Sequence, residues 1–137
     1  VFFFFFLNLG DIRIGIVNLL GNNPPIYTKV VPKTLNPQKY ILIINQAIQP
    51  YEIAKECFEY TSQFTLDLCA VTSHGGNVTG QVDAMHSVIE SVIYNLEVPN
   101  HIVKNIDFIG SIERDITTPT NTINRRLLTY NIWLRDV

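Results

Sequence analysis

Between Ser62 and Leu96 the hydrophobic rhythm of the chain changes period, and this constrains the fold more than any other feature. Phe64, Leu66, Leu68 and Ala70 alternate with Thr65, Asp67, Cys69 and Val71, the period of two expected of a half-buried strand. Beyond His74-Gly75-Gly76 the apolar residues Val78, Val82, Met85, Ile89, Val92, Ile93 and Leu96 recur every three or four positions. Gln81, Asp83, Glu90 and Asn95 fall on the other side, so the pattern predicts an amphipathic helix of about five turns. Asn77 or Thr79 is suited to cap it, and Val98-Pro99-Asn100 ends it. Gly75 and Gly76 permit the positive φ that a chain needs to reverse from strand to helix.

The flanking segments supply the rest. Leu9, Ile12, Ile16, Leu19 and Leu20 share a helical face, with Asn8 as N-cap, Asp11 in the positively polarised first turn and Gly21 beyond the last. Gly10 and Gly15 each weaken that helix by about 1 kcal/mol relative to alanine. Ile26 to Val31 reads as a short strand, and Lys39 to Ile48 as a second, rich in Ile and Tyr. The second is apolar on both faces as far as Ile44, which implies cover on both sides, or on one side plus another subunit. Gln49-Pro50 is expected to end it, and the uneven spacing from Tyr51 to Ser62 reads as an irregular excursion. "HIVKNIDFIGSIERDI" and "INRRLLTYNIWLRDV" form two strands around the turn-rich Thr118-Pro119-Thr120-Asn121. The expected product is an α+β domain. It is a mostly antiparallel sheet of four to five strands, with one long and one short helix packed on one face. Residues 1–10 form an apolar arm and residues 11–137 a single domain, with no repeat dividing it.

Composition narrows the function. Hydrophobic residues make up 47% and charged residues 16%, against roughly 25% charged in an ordinary soluble domain, so a partner is expected to cover part of the surface. The net charge is −2, without the basic excess of a chain that grips nucleic acid. Arg114, Arg125, Arg126 and Arg135 do gather late, but Glu113, Asp115 and Asp136 sit beside them, a mixed solvated strand face. "VFFFFFLNLG" has no positive flank and is too short for a membrane span of roughly 20 residues. Its five phenylalanines are therefore expected to be buried in this chain or against a neighbour. Cys57 and Cys69 form no CxxC pair, fit a reducing compartment, and leave Cys69 as a small core or interface hydrophobe.

No catalytic constellation emerges. "SHGGNVTG" is neither GxxxxGK[ST] nor GxGxxG and has no lysine for a phosphate. His74, His86 and His101 are scattered. Asp83 and His86 share a helix face at i, i+3, which lets the carboxylate orient the imidazole, but a metal needs further ligands. Ser73-His74 lacks a nucleophile elbow, and Asp67 and Asp107 give no acid–base pair. The expectation is no enzyme, no cofactor and no metal. The competing expectation is a small α+β ligand-binding or enzyme domain with a pocket near Ser73–Asn77.

The order of segments carries a resemblance. Ile26-Tyr27 after the first helix, the strand Lys39 to Ile44, "FTLDLCAVT" (Phe64 to Thr72) leading into "VDAMHSVIESVIYNL", and the closing Arg125 to Arg135 together resemble the tail terminator, or tail-completion, proteins of tailed bacteriophages. The similarity runs from about Asp11 to the C-terminus. Gln38-Lys39 departs from the family's proline–aromatic pair, and the phenylalanine-rich start has no counterpart. The resemblance implies a virion subunit that forms a homo-oligomeric ring, six- or twelve-fold, at the head–tail interface. Its neighbours would be tail, portal or connector proteins, and DNA would pass through its lumen without specific binding. Phe58, Tyr60, Leu127, Trp133, Arg125 and Arg126 are the candidate subunit-interface residues, since aromatic and arginine side chains favour such contacts.

Overall fold

A computed structural model describes residues 9–21, 24–28, 31, 37–54 and 57–136, the side chains of 9, 48–54, 57–58 and 136 excepted. The elements run α1 (Leu9–Leu20), β1 (Ile26–Thr28), β2 (Lys39–Ala54), β3 (Cys57–Ser73), α2 (Thr79–Val92), a 3₁₀ turn (Ile93–Asn95), β4 (His101–Glu113), β5 (Ile116–Thr117) and β6 (Asn121–Asp136). The change of period at Gly75-Gly76 does mark the passage from strand to helix. Asn8, the expected cap of α1, lies outside the described residues.

The sheet has six strands in the order β1-β2-β3-β6-β4, with β5 on β6. All pairs are antiparallel except β1 with β2, which is parallel. The sheet is therefore mixed and one strand larger than the four to five expected. The irregular excursion expected from Tyr51 to Ser62 is instead a long hairpin: β2 continues to Ala54 and β3 begins at Cys57. Pro50 does not end β2 because the pairing with β3 absorbs it at a register shift between Pro50 and Glu52. A bulge is one of the few places where a strand tolerates a residue without an N–H. A second bulge lies between Ile44 and Ala47, where Asn45 takes a φ of 52°, a conformation asparagine adopts more readily than most residues. Ser62 Oγ donates to the Ala47 carbonyl at 2.6 Å there, so the disturbed ladder stays satisfied.

Both helices pack on one face, and the core lies between them and the sheet. Ile41, Ile43, Phe64, Leu66, Leu68, Leu128, Tyr130, Ile132 and Leu134 from the strands meet Ile12 and Ile16 of α1 and Val82, Met85 and Ile89 of α2. Register explains the selection: β3 and β6 pair Phe64 with Tyr130 and Leu66 with Leu128, so their even-numbered residues share the helical face.

Gly15 serves this packing and does more than loosen α1. A Cβ there would stand 2.3 Å from the Glu97 carbonyl oxygen, since α1 lies directly on the backbone that follows the 3₁₀ turn. Alanine in a helix ordinarily stabilises by about 1 kcal/mol over glycine. Here Gly15→Ala should instead destabilise by about 1–3 kcal/mol, the usual cost of overpacking, read as a lower urea midpoint. Gly80→Ala, whose Cβ would meet nothing within 4 Å, is the control and should not lower it.

Candidate interaction surface

The sheet's second face carries no helix among the described residues. Register lays its side chains in rows across the strands. Leu42, Asp67, Leu127 and Ile112 form one, Ile44, Thr65, Thr129 and Gly110 the next, and Thr61, Trp133 and Asn105 a third. Leu42, Ile44, Leu127 and Trp133 are half-buried, and Ile112 is exposed. A sheet bounded by water on one side ordinarily alternates apolar with polar residues; this face keeps apolar side chains on β2, β4 and β6 alike.

A buried ion pair holds the centre of the face. Asp67 is 0% exposed and receives two nitrogens of Arg125, Nη2 on Oδ2 at 2.5 Å and Nε shared between Oδ1 at 3.3 Å and Oδ2 at 3.2 Å. That fork-to-carboxylate geometry is the strong form of the pair. The Cys69 thiol donates to Asp67 Oδ1 at 3.4 Å. Burial, reinforced by the Asp67 charge, pushes the Cys69 thiol up to about 12, and burial together with Cys69 also raises the Tyr40 phenol. Cys69 is a free, buried thiol, in line with the small hydrophobe the sequence suggested.

The raised thiol has a pH consequence. The native state holds the Cys69 proton to about 12, whereas the unfolded chain releases it near the ordinary thiol value of 9.0. This contribution is complete below pH 9 and is lost as pH rises toward 12. The urea midpoint should therefore fall progressively above pH 9, and Cys69→Ala should flatten that fall.

The six candidate interface residues do not share one surface. Leu127, Trp133 and Arg125 lie on the uncovered face. Lys104 stacks 4.3 Å over the Trp133 ring while its ammonium meets Glu59 at 3.0 Å. Tyr60 is half-buried against the core on the helical side, edge-on to His101, and the Phe58 side chain lies outside the described residues. Arg126 also points to the helical side, and a mixed solvated face does not describe it. It bonds Glu113, Asp83 Oδ1 at 2.6 Å and His86 Nδ1 at 3.1 Å. Asp83 therefore does not orient His86 directly; Arg126 stands between them, and His86 Nε2 lies 3.0 Å from Glu90. Tyr40, Leu42 and Ile44 were missing from the candidates, although the apolar character of β2 on both faces was their signal.

The strand-to-helix corner makes most of its hydrogen bonds, among the described residues, to β6 and to its own loop. Gly75 has a φ of 81° and donates its N–H to Thr122 Oγ1 at 3.0 Å. Val78 N–H donates to Asn124 Oδ1 at 2.8 Å, and Thr79 N–H to Asn77 Oδ1 at 2.9 Å. Gly76 has a negative φ; its glycine is required because a Cβ would stand 2.7 Å from Thr72. The His74 ring reaches the Thr118 carbonyl at 2.8 Å. Of the N–H groups around this helix start, those of Gly75 and Val78 are thus held by β6 side chains and that of Thr79 by Asn77. Asp67 and Asp107 do not meet, because Asp67 pairs with Leu127 and Asp107 with Asn131 four residues along β6. No group of three or more metal-ligating side chains occurs among the described residues.

No family model matches the chain, and no curated protein does. Among solved structures it is similar to a chain of the "Virion of native gene transfer agent (GTA) particle", with a TM-score of 0.60, 16% identity, and coverage of 88% of this chain and 84% of that one. The likeness is one of fold. It spans most of this chain, so the layout of sheet and helices is one also found in a chain of that virion particle.

Proposed function

We propose that the chain is a structural virion protein that assembles into a ring at the head–tail interface of a phage-like particle. There it ends or joins the tail and leaves a channel for DNA. The uncovered sheet face carries this reading. Half-buried Leu42, Ile44, Leu127 and Trp133 lie in register on a face that no described helix covers, and a second polypeptide would remove them from water at about 25 cal/mol per Å². A ring repeats one heterologous contact until it closes, so every copy needs such a patch. The fold likeness to a chain of a virion supports the same reading. The net charge of −2 suits a subunit past which DNA must slide, since strong phosphate binding needs a basic excess.

Substitution separates this from a ligand-binding corner. Leu127→Asp and Trp133→Ala should abolish or sharply weaken self-assembly while leaving the circular dichroism spectrum of the subunit native. His74→Ala and Asp83→Ala should leave assembly intact. Assembly unaffected by the first pair and lost with the second would overturn the proposal.

A further inference from the structure

The seam where α2 meets β4 and β6 holds a cluster of titratable side chains that neither the core nor the uncovered sheet face uses. Arg126 of β6 is its hub. Its Nε donates to Glu113 of β4 at 3.1 Å, its Nη2 to Asp83 of α2 at 2.6 Å, and its Nη1 lies 3.1 Å from His86 Nδ1. The last contact fixes the protonation of the imidazole. A guanidinium offers only donors and keeps its charge, so Nδ1 must accept and carries no proton. The ring proton therefore sits on Nε2, which is 3.0 Å from Glu90 Oε1 but not aligned with it as a hydrogen bond. A flipped ring would set carbon against both Arg126 and Glu90, so the polar neighbours select this orientation. Phe108 of β4 leans on the imidazole, centroids 6.4 Å apart, and packs in turn on Tyr130 of β6. The side chains of Arg126 and His86 keep only 12% and 18% of their surface in water.

We propose that His86 is a pH-sensitive latch: uncharged, it accepts the Arg126 hydrogen bond that ties α2 to β6, and on gaining a proton it gives up that bond and loosens α2 from the sheet. Histidine is the side chain whose charge ordinarily changes between about pH 5 and 8. With a proton on Nδ1, two donors would face each other across 3.1 Å, one of them on a permanently charged guanidinium. Burial of both groups leaves little water to take over the lost bond. Among the described residues the acidic groups around the ring are Asp83 and Glu90 of α2 and Glu113 of β4, and each attracts an imidazolium. Their side chains are more than half exposed, so water screens that attraction, and Asp83 and Glu113 are already committed to Arg126. The Tyr130 phenol, pushed up by burial and by Tyr94 and Glu90 nearby, stays uncharged. Asp67 of β3 points to the other side of the sheet, and Arg13 of α1 is bonded to Gln46. The repulsion, in the less exposed place, prevails. The native arrangement thus requires the neutral ring, and its contribution is complete above the histidine range and lost as pH falls through it. This inference does not depend on ring assembly.

Nitrogen NMR of the full chain reads the tautomer directly. At about pH 8 the His86 ring, assigned by its loss in His86→Asn, should show a bare Nδ1 and a protonated Nε2; a proton on Nδ1 would overturn the proposal. The same variant tests the latch, because the asparagine oxygen takes the place of Nδ1 as acceptor and gains no charge. Between about pH 8 and about pH 5 the folding equilibrium constant of the native sequence, from urea unfolding, should fall about ten-fold more than that of His86→Asn. The other histidines and the carboxylates titrate in both chains and cancel in the comparison, so equal falls would overturn the latch. Hydrogen exchange in the native sequence gives an independent reading. Protection of the α2 amides of Val82, Met85 and Ile89 should drop several-fold more over this range than that of Leu66 and Leu128 in the strands. Equal drops in helix and strands would contradict the proposal.

Discussion

Arg125→Met should destabilise the fold by about 3–5 kcal/mol, the cost of leaving a buried charge without its partner. The asymmetry of the pair drives this. The Asp67 side chain is wholly buried, whereas that of Arg125 keeps 24% of its surface in water. Without Arg125 the carboxylate keeps, among the described residues, the Cys69 thiol, a weak donor. Asp67→Asn should cost less, about 1–3 kcal/mol, because the guanidinium can turn outward and rehydrate. Replacing both, with Asp67→Leu and Arg125→Met, should recover most of the loss, since a packed apolar pair often equals or exceeds a buried ion pair. Urea unfolding of the three variants checks the order. A double variant no better than Arg125→Met alone would show that the face needs the charge itself.

Phe64→Ala should cost about 3–5 kcal/mol, the range for emptying a buried phenylalanine site. Phe64 is 0% exposed and stacks on Tyr130 at 5.7 Å, which in turn meets Phe108 at 5.3 Å. The three rings join β3, β6 and β4 under α2. Their removal from register would also loosen the Tyr130 phenol, which burial raises to about 12. Against a typical domain stability of about 5–15 kcal/mol, this one substitution should visibly lower the melting temperature, and Phe64→Leu should restore much of it. A loss below about 1 kcal/mol would mean that the ring stack is not central to the core.

The parts of the fold legible in the sequence were those with a clean period. Helix α1 has its expected bounds, and the strand–glycine–helix passage is where the rhythm changes. The hairpin of β2 and β3 was hidden because two bulges break the alternation, at Asn45 and beside Pro50, so a proline that usually ends a strand is carried inside one. The surface was less legible than the core. Leu127 and Trp133 were found from their residue types, but Arg125 and Arg126 are adjacent in sequence and lie on opposite faces with different partners. Tyr60 falls in the stretch that reads as an irregular excursion, and is half-buried because β3 places its even-numbered residues under the helices. Asp67 gave no local sign of its partner, which is 58 residues away and is brought to it by pairing of β3 with β6.

The reading of this chain as a ring-forming virion component has one direct measurement. Particles released from cells that carry this sequence can be purified through a density gradient and their polypeptides quantified by mass spectrometry. The account predicts this chain in mature particles at the copy number of a single ring, roughly six to twelve per particle, lost together with tail attachment in the Leu127→Asp variant. Its absence from mature particles would contradict the account.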